Sequence, residues 1–106
     1  MTQGFASDHW TSDEGTPLGG CTYGVGFAIS WQNGALRSRG TIRKPNGAFV
    51  EDVIAAARDR LAHFQDGRFA CDENAEAIEH LTCALEALKR RTAKREARGV
   101  DGTHTP

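Results

Sequence analysis

The chain has 106 residues, a formal net charge of −1 at pH 7 and three cysteines. This length leaves room for one small domain with a limited core, so we expect an oligomer. The near-zero net charge argues against a general polyanion binder, and no apolar run is long enough to span a bilayer. The odd number of cysteines and the lack of a secretory signal favour a reduced cytoplasmic compartment.

The first residues are rich in Gly, Ser, Thr, Asp and Pro. Their composition predicts a flexible N-terminal arm at residues 1–20, followed by one domain at residues 21–106. Within that domain we predict a β-hairpin at residues 21–44, a helical hairpin at residues 46–98 and a tail at residues 99–106. The predicted fold class is therefore α+β, with a short β-hairpin or small antiparallel sheet followed by a two-helix antiparallel hairpin.

Bulky apolar residues alternate with small or polar ones from Tyr23 to Gln32. This pattern predicts a strand with one bulky face and one nearly bare face. Asn33-Gly34 then signals a two-residue hairpin turn, which requires positive φ at both positions. We expect the returning strand to run from Ala35 to about Arg43, before Lys44-Pro45 ends it.

The returning strand carries three arginines. The predicted register places them on the bare face of the hairpin, with Arg37 opposite Ser30, Arg39 opposite Ala28 and Arg43 opposite Gly24. Small residues would let a ligand approach the backbone, and guanidinium groups are suited to phosphate oxygens. The plainer alternative is an exposed sheet face that arginine keeps in solution.

Apolar residues recur every three or four positions from Phe49 to Phe64, which predicts a first helix. Asn46 or Gly47 can cap its start, and Gly67 is placed to end it in a left-handed conformation. A second helix is expected after Asp72, because a narrow apolar seam follows at Ile78, Leu81, Leu85 and Leu88. The short connection between the helices requires an antiparallel arrangement.

The end of the second helix is basic from Lys89 to Arg98. Arg91, Arg95 and Arg98 recur at spacings of four and three, so they share one face. Positive charge near a helix C-terminus is common and usually solvated. The alternative is that this face forms one wall of an anion pocket.

Two phenylalanines flank the predicted bend between the helices. Phe64 continues the apolar stripe of the first helix, so core packing is its default role. Phe69 belongs to neither stripe, and Asn74 follows in the first turn of the second helix. An aromatic ring with an amide nearby can stack a base and bond its edge, although capping the bend is the commoner role.

Motifs for metal binding and catalysis are missing. His80 and Cys83 are three apart on one predicted helix, but no Cys-x-x-Cys or His-Glu-x-x-His pattern accompanies them. No motif joins a serine or cysteine to a base, and no phosphate-binding glycine motif is present. We therefore expect no metal, no cofactor and no catalytic residue.

The sequence resembles the phage Thoeris anti-defence sponge family, which shares its helical hairpin with a phage anti-CBASS sponge. The match spans more than half of the chain. The residues that carry it are Asn46 to Ile54, Arg60-Leu61, Phe64-Gln65, Phe69-Ala70-Cys71, Glu73-Asn74, Ala77-Ile78, Arg91-Thr92, Arg95 to Val100 and Gly102-Thr103-His104.

The resemblance implies sequestration without catalysis in the host cell cytoplasm. The ligand implied is glycocyclic ADP-ribose, the signal made by Thoeris TIR proteins, held in pockets between the subunits of a dimer or hexamer. Phe64 or Phe69 would stack on adenine, and Arg91 and Arg95 would bind the diphosphate. The full set of implied ligand-binding residues is Arg39, Phe64, Phe69, Asn74, Arg91, Arg95, Arg98 and Thr103, with Arg37 and Arg43 as a candidate second anion face.

Other functions stay open from the sequence. The same fold could sequester cyclic di- or trinucleotides of CBASS on the arginine face of the strands. A helical-hairpin adaptor or nucleic-acid binder would use Lys89 to Arg98, and its binding to polynucleotides would weaken steeply with salt. The near-neutral charge counts against that reading, so we expect no nucleic-acid polymer as partner. The lack of an apolar run long enough to span a bilayer predicts no membrane partner. A small phosphodiesterase or nucleosidase would need a metal or base constellation.

Overall fold

A computed structural model describes residues 2–106 of the chain. A small antiparallel sheet is followed by two helices, which confirms the predicted α+β class. The elements in chain order are β1 (Phe5–Thr11), β2 (Pro17–Gly24), β3 (Phe27–Trp31), β4 (Arg37–Ser38), β5 (Thr41–Ile42), α1 (Val50–Gln65) and α2 (Asp72–Ala97).

Contacts divide the described residues into two units. The sheet unit contains the residues up to Phe49 together with Arg98–Pro106, and the helical unit contains Val50–Ala97. The C-terminal tail is therefore a part of the sheet unit, although it follows α2 in the chain. The grouping of residues 21–106 into one domain stays a prediction.

The main sheet has three antiparallel strands in the order β1-β2-β3. The prediction of a flexible arm at residues 1–20 is wrong for the residues that form β1 and the start of β2. Met1 lies outside the described residues. The composition misled because pairing between strands, from Phe5 opposite Gly24 to His9 opposite Gly20, outweighs the weak strand preference of the individual residues.

The predicted strand from Tyr23 to Gln32 is broken by a turn at Val25-Gly26, where Gly26 has a φ of 87°. Because Gly24 pairs with Phe27 across this turn, Tyr23 pairs with Ala28 and lies on the other side of the sheet from Phe27. The register leaves one side with most of the bulky apolar side chains. This side, called the aromatic face below, carries Phe5, Phe27, Ile29 and Trp31.

Asn33-Gly34 does not form the predicted hairpin turn. Gly34 has a φ of 87°, but Asn33 is not among the described residues with positive φ. The main-chain N–H of Asn33 instead donates to Asn46 Oδ1 at 2.9 Å, and Asn46 Nδ2 donates to the Asn33 carbonyl at 3.0 Å. Asn46 is thus used to hold the chain beside β3, not to cap a helix.

Residues 46–48 cover the outer edge of β3. The Ala48 N–H donates to the Ser30 carbonyl at 2.7 Å, and the Gln32 N–H donates to the Ala48 carbonyl at 3.0 Å. Gly47, predicted as a helix cap, passes so close to β3 that a Cβ there would lie 2.6 Å from the carbonyl carbon of Trp31. The start of α1 is therefore preceded by a segment that belongs to the sheet.

The hairpin turn with positive φ at both positions occurs later, at Arg39 (φ 50°) and Gly40 (φ 76°). It joins β4 and β5, which pair Arg37 with Ile42 and Ser38 with Thr41. The predicted pairing of the arginines with Ser30, Ala28 and Gly24 is therefore wrong. Those small residues pair within the main sheet, opposite Cys21, Tyr23, and both Phe5 and Phe27, respectively.

The two helices form the hairpin that the periodicity predicts, with Glu51 and Asp52 in the first turn of α1. Arg58 Nη1 donates to Thr82 Oγ1 at 3.3 Å across the hairpin. No residue of either helix is fully buried. Gly67 does not have positive φ, so the left-handed helix end predicted there is wrong. In residues 2–106 no helix has the length and apolar character to cross a membrane.

Candidate functional site

An open cavity of about 710 Å³ lies in the sheet unit, beside the β4–β5 hairpin. Its other wall is the end of the tail, Thr103–Pro106. The Arg37 N–H holds this tail by donating to the Gly102 carbonyl at 2.8 Å, and Arg37 Nη1 reaches the Asp101 carbonyl at 3.5 Å. The cavity falls within the range of roughly 300–1,000 Å³ that is usual for small-molecule sites.

The lining of this cavity, called the tail cavity below, suits an anion. Arg37 and Arg39 contribute guanidinium groups, and Thr103 contributes a hydroxyl. Arg39 sits there in a left-handed conformation, which costs a non-glycine residue about 1–2 kcal/mol. The structure thus brings together three of the residues predicted from the sequence to bind the ligand: Arg37, Arg39 and Thr103.

Sequence reasoning missed several polar residues of the tail cavity, because it assigned no strand turn to Arg39-Gly40. The missed lining residues with hydroxyl groups are Ser38, Thr41 and Thr105. By contrast, Arg43 and Arg98 do not line the cavity. Arg43 is exposed just after β5, where its N–H donates to the Leu36 carbonyl at 2.7 Å, and Arg98 is exposed just after α2.

In the helical unit, hydrogen bonds fix the bend between the helices. The side chain of Gln65 accepts from the Cys71 N–H at 3.0 Å and donates to the Cys71 carbonyl at 3.1 Å. Asn74 Nδ2 donates to the Phe69 carbonyl at 3.2 Å. The Asn74 amide is thereby placed beside Phe69, a residue that is 69% exposed.

Both candidate stacking residues have a guanidinium group beside the ring. The Arg60 guanidinium carbon lies 5.0 Å from the centre of the Phe64 ring, and that of Arg68 lies 5.5 Å from the centre of the Phe69 ring. The His63 ring is a further neighbour of Phe64, with the ring centres 6.1 Å apart. Phe64 is half-buried, so its ring is held more firmly than that of Phe69.

The basic end of α2 makes a loose contact with the start of α1. Arg91 Nη2 lies 3.6 Å from Glu51 Oε1, and the side chains are 60% and 37% exposed. An exposed pair of this kind contributes about 0–1 kcal/mol, so a bound anion could replace Glu51 as the partner of Arg91. Arg95 lies one turn further along α2 and is half-buried.

The helical unit does not bring its two groups of candidate residues together. Because Arg91 contacts Glu51, it lies at the start of α1, whereas Phe64 lies near the end of that helix. At about 1.5 Å per residue, these positions are about 20 Å apart. Phe69 and Asn74 belong to the bend near Phe64, away from the basic end.

The described residues, 2–106, contain no group of three or more His, Cys, Asp or Glu side chains arranged to hold a metal ion. The candidate residues at the tail cavity and along the helical hairpin offer guanidinium, hydroxyl, amide and aromatic groups. Such groups bind phosphate and nucleobases.

One family model and one curated protein are similar to this chain. A family model described as "Acb2/Tad1, hairpin domain" matches residues 28–93, more than half of the chain. A protein of Bacillus phage SBSphiJ7 called "Thoeris anti-defense 1" is 46% identical over 76 residues, which cover 72% of this chain and 51% of that protein. The chain thus spans about half the length of this curated relative. Of the candidate site residues, Arg95, Arg98 and Thr103 lie beyond the residues that the family model matches.

Proposed function

Because this chain belongs to the Acb2/Tad1 hairpin-domain family, we propose that it is a phage anti-Thoeris protein that sequesters a cyclic nucleotide immune signal. The proposed ligand is glycocyclic ADP-ribose made by Thoeris TIR proteins, and it is held intact, without cleavage. The observation that carries the proposal is that one helical hairpin presents both kinds of group: Arg91, whose contact with Glu51 is loose and exposed, and the rings of Phe64 and Phe69, which are half-buried and exposed, respectively. These two groups match the diphosphate and the adenine of such a ligand.

The pocket is completed by a second copy of the chain. Phe64 and Arg91 are about 20 Å apart in one helical unit, whereas a single ribose joins the adenine of ADP-ribose to its diphosphate. One ligand can therefore contact both groups only if the bend comes from one copy and the basic end from another. The lack of a fully buried residue in either helix supports such an assembly, since a partner hairpin would cover the half-buried seam.

The sheet unit has candidate phosphate ligands of its own in this proposal. Arg39 and Thr103 share the tail cavity, where the β4–β5 turn and the bond from Arg37 to Gly102 hold them in place. A charge-assisted hydrogen bond contributes about 1.5–3 kcal/mol, and a base stack about 1–3 kcal/mol. Several such contacts give nanomolar affinity only in a preorganised pocket, and the hydrogen-bonded bend between the helices supports such preorganisation.

Release of intact ligand tests this function directly. The purified protein is incubated with glycocyclic ADP-ribose and filtered, and the retained protein is then denatured by heat. We expect chromatography to find the free ligand depleted before heating and returned unchanged after it, because the described residues offer guanidinium and hydroxyl groups that can hold phosphate. A chemically altered product would show an enzyme, and a molecule that is never depleted would contradict glycocyclic ADP-ribose as the ligand.

The stacking residue can be identified by comparing Phe64→Ala with Phe69→Ala. We expect Phe64→Ala to weaken ligand binding about tenfold or more, since the half-buried Phe64 ring loses less freedom on stacking than the exposed Phe69 ring. Phe69→Ala should leave both affinity and melting temperature nearly unchanged. Calorimetric titration and thermal unfolding of both variants measure these effects, and the opposite order of affinities would assign the stack to Phe69.

The tail cavity also favours one alternative ligand. Two arginines and several hydroxyls within the sheet unit form an anion site whose residues are all distinct from those of the helical hairpin. A CBASS-type cyclic di- or trinucleotide is the candidate for such a site. In the filtration assay, retention of a cyclic oligonucleotide together with glycocyclic ADP-ribose would indicate two sites, whereas mutual competition would indicate one.

A further inference from the structure

Strand β1 is a free sheet edge. It is the outer strand of the β1-β2-β3 sheet, and all seven of its residues are exposed. The opposite edge of the sheet is different, because Ala48 bonds to both Ser30 and Gln32 along β3. Within residues 2–106, β2 is the one strand that pairs with β1. The backbone N–H and C=O groups on its outer side are left to solvent or to another chain.

This edge lacks most of the features that keep exposed strands from pairing. Natural edge strands are often short, or carry lysine or proline. β1 has seven residues with neither of these, and Asp8 is its one acidic residue. It also carries Phe5, which is 70% exposed on the aromatic face. The combination of a long free edge and an exposed aromatic ring is typical of a strand that pairs with a partner.

We propose that β1 pairs antiparallel with β1 of a second copy, in a register centred on Ser7, so that two sheets join into one of six strands. The argument for a second copy starts from the regular part of the strand. The β1–β2 register is regular from Phe5 to His9 and shifts between His9 and Thr11. Ser7 is the midpoint of this regular part, so a twofold axis there pairs all of it with its own copy.

The charges of the side chains and the faces on which they lie also favour the register centred on Ser7. A twofold axis normal to the sheet places residues of one face opposite residues of that same face, so the axis must pass through a residue. An axis at Asp8 would set two carboxylates directly opposite each other, which is destabilising. An axis at His9 would pair the irregular end of the strand. With the axis at Ser7, Phe5 lies opposite the partner's His9, and Ala6 lies opposite the partner's Asp8.

The Ser7-centred contact also extends an existing hydrogen-bond network. Ser7 Oγ lies 2.8 Å from Thr22 Oγ1, which accepts from Trp31 Nε1 at 2.9 Å. Thr22 is the one buried polar side chain in the described residues and is 9% exposed. Pairing at Ser7 joins the two networks at the axis and makes one aromatic face that runs across six strands. The contact uses residues 5–9, so it does not depend on the proposed ligand or on residues 28–93 of the family match.

Engineered disulfides test this register in the full chain. Cys21, Cys71 and Cys83 are first replaced by serine, which is essential because Cys21 pairs with Asp8 in the same sheet. Ala6→Cys and Asp8→Cys are then made in separate preparations that are mixed and oxidised gently. Directly opposed residues have Cβ atoms about 4.5–5.5 Å apart, close enough for a disulfide after small adjustments. We expect the mixture to form mainly the disulfide-linked heterodimer, which intact mass distinguishes, and each variant alone to stay mostly without a crosslink.

A second variant and a control complete the experiment. Ser7→Cys alone should form about tenfold more disulfide dimer than Asp13→Cys, a control in the exposed turn between β1 and β2. Circular dichroism verifies that each variant is folded. The proposal is overturned if Ser7→Cys crosslinks no better than Asp13→Cys, or if the mixed preparation yields no more heterodimer than random pairing. Ala6 and Asp8 lie on the side opposite the aromatic face, so stacking of two aromatic faces would not give the heterodimer.

Discussion

Replacing Arg91 and Arg95 together by alanine should weaken the binding of glycocyclic ADP-ribose by about 100-fold or more while the helical hairpin stays folded. Two lost charge-assisted hydrogen bonds remove about 3–6 kcal/mol, and each 1.4 kcal/mol is about tenfold in affinity. The helix should still form, because Arg91 is 60% exposed in a weak pair with Glu51 and alanine favours helix at both positions. Calorimetric titration measures the affinity, and thermal unfolding measures the fold.

A matched control removes the same charge from the neighbouring positions of the same helix. Arg90→Ala with Lys94→Ala has the same spacing and the same loss of two positive charges, but lies on a different face of α2. We expect this control to bind the ligand like the unmodified protein. Unchanged affinity in the Arg91 and Arg95 variant would contradict the assignment of the diphosphate site. Equal losses in both variants would indicate attraction by the basic end as a whole, without a defined pocket.

Replacing Gly47 by alanine should destabilise the sheet unit by about 3 kcal/mol. A Cβ at this position would lie 2.6 Å from the Trp31 carbonyl carbon and oxygen and 2.7 Å from the Ser30 oxygen. These are backbone atoms of β3, so they cannot move aside as a flexible side chain would, and overpacking of this kind usually costs about 1–3 kcal/mol. The substitution should also loosen residues 46–48 from β3, because two hydrogen bonds at Ala48 depend on that close approach.

The two tryptophans make this effect measurable. Trp10 and Trp31 both belong to the sheet unit, so urea unfolding followed by tryptophan fluorescence reports on that unit. Circular dichroism of the helices follows the helical unit in the same sample. Gly67→Ala is the control, since the nearest atom to its new Cβ, the Phe64 carbonyl oxygen, is 3.9 Å away. A Gly47→Ala protein with the fluorescence midpoint of the control would show that the segment does not pair with β3.

The helices were the part of the fold that the sequence predicted best. The spacing from Phe49 to Phe64 and the seam from Ile78 to Leu88 correspond to α1 and α2. Helix hydrogen bonds join residues four apart, so the information that specifies a helix lies within a short window. Helix ends were read less well, because Asn46 and Gly47 bond to β3, and Gly67 adopts no left-handed conformation.

Strand pairing was the part of the fold that the sequence predicted least well. Asn33-Gly34 is a stronger local hairpin signal than Arg39-Gly40, yet the turn with two positive φ values forms at Arg39-Gly40. The difference arises because Asn33 exchanges hydrogen bonds with Asn46, thirteen positions further on. A contact of that separation in sequence leaves no local periodicity from which it could be predicted.

For the candidate site, too, local features were predictable from the sequence and long-range contacts were not. The sequence by itself determined which chemistry is available, because arginines at Arg91 and Arg95, aromatic rings at Phe64 and Phe69, and the amide of Asn74 are readable as residue types at helical spacings. Only the tertiary structure decided how these groups are distributed. It joined the tail to β4 through Arg37 and Gly102, and it set the bend and the basic end about 20 Å apart in one hairpin. The physical reason is that residue chemistry and helix formation are local properties, whereas strand pairing and the meeting of distant segments depend on contacts throughout the chain.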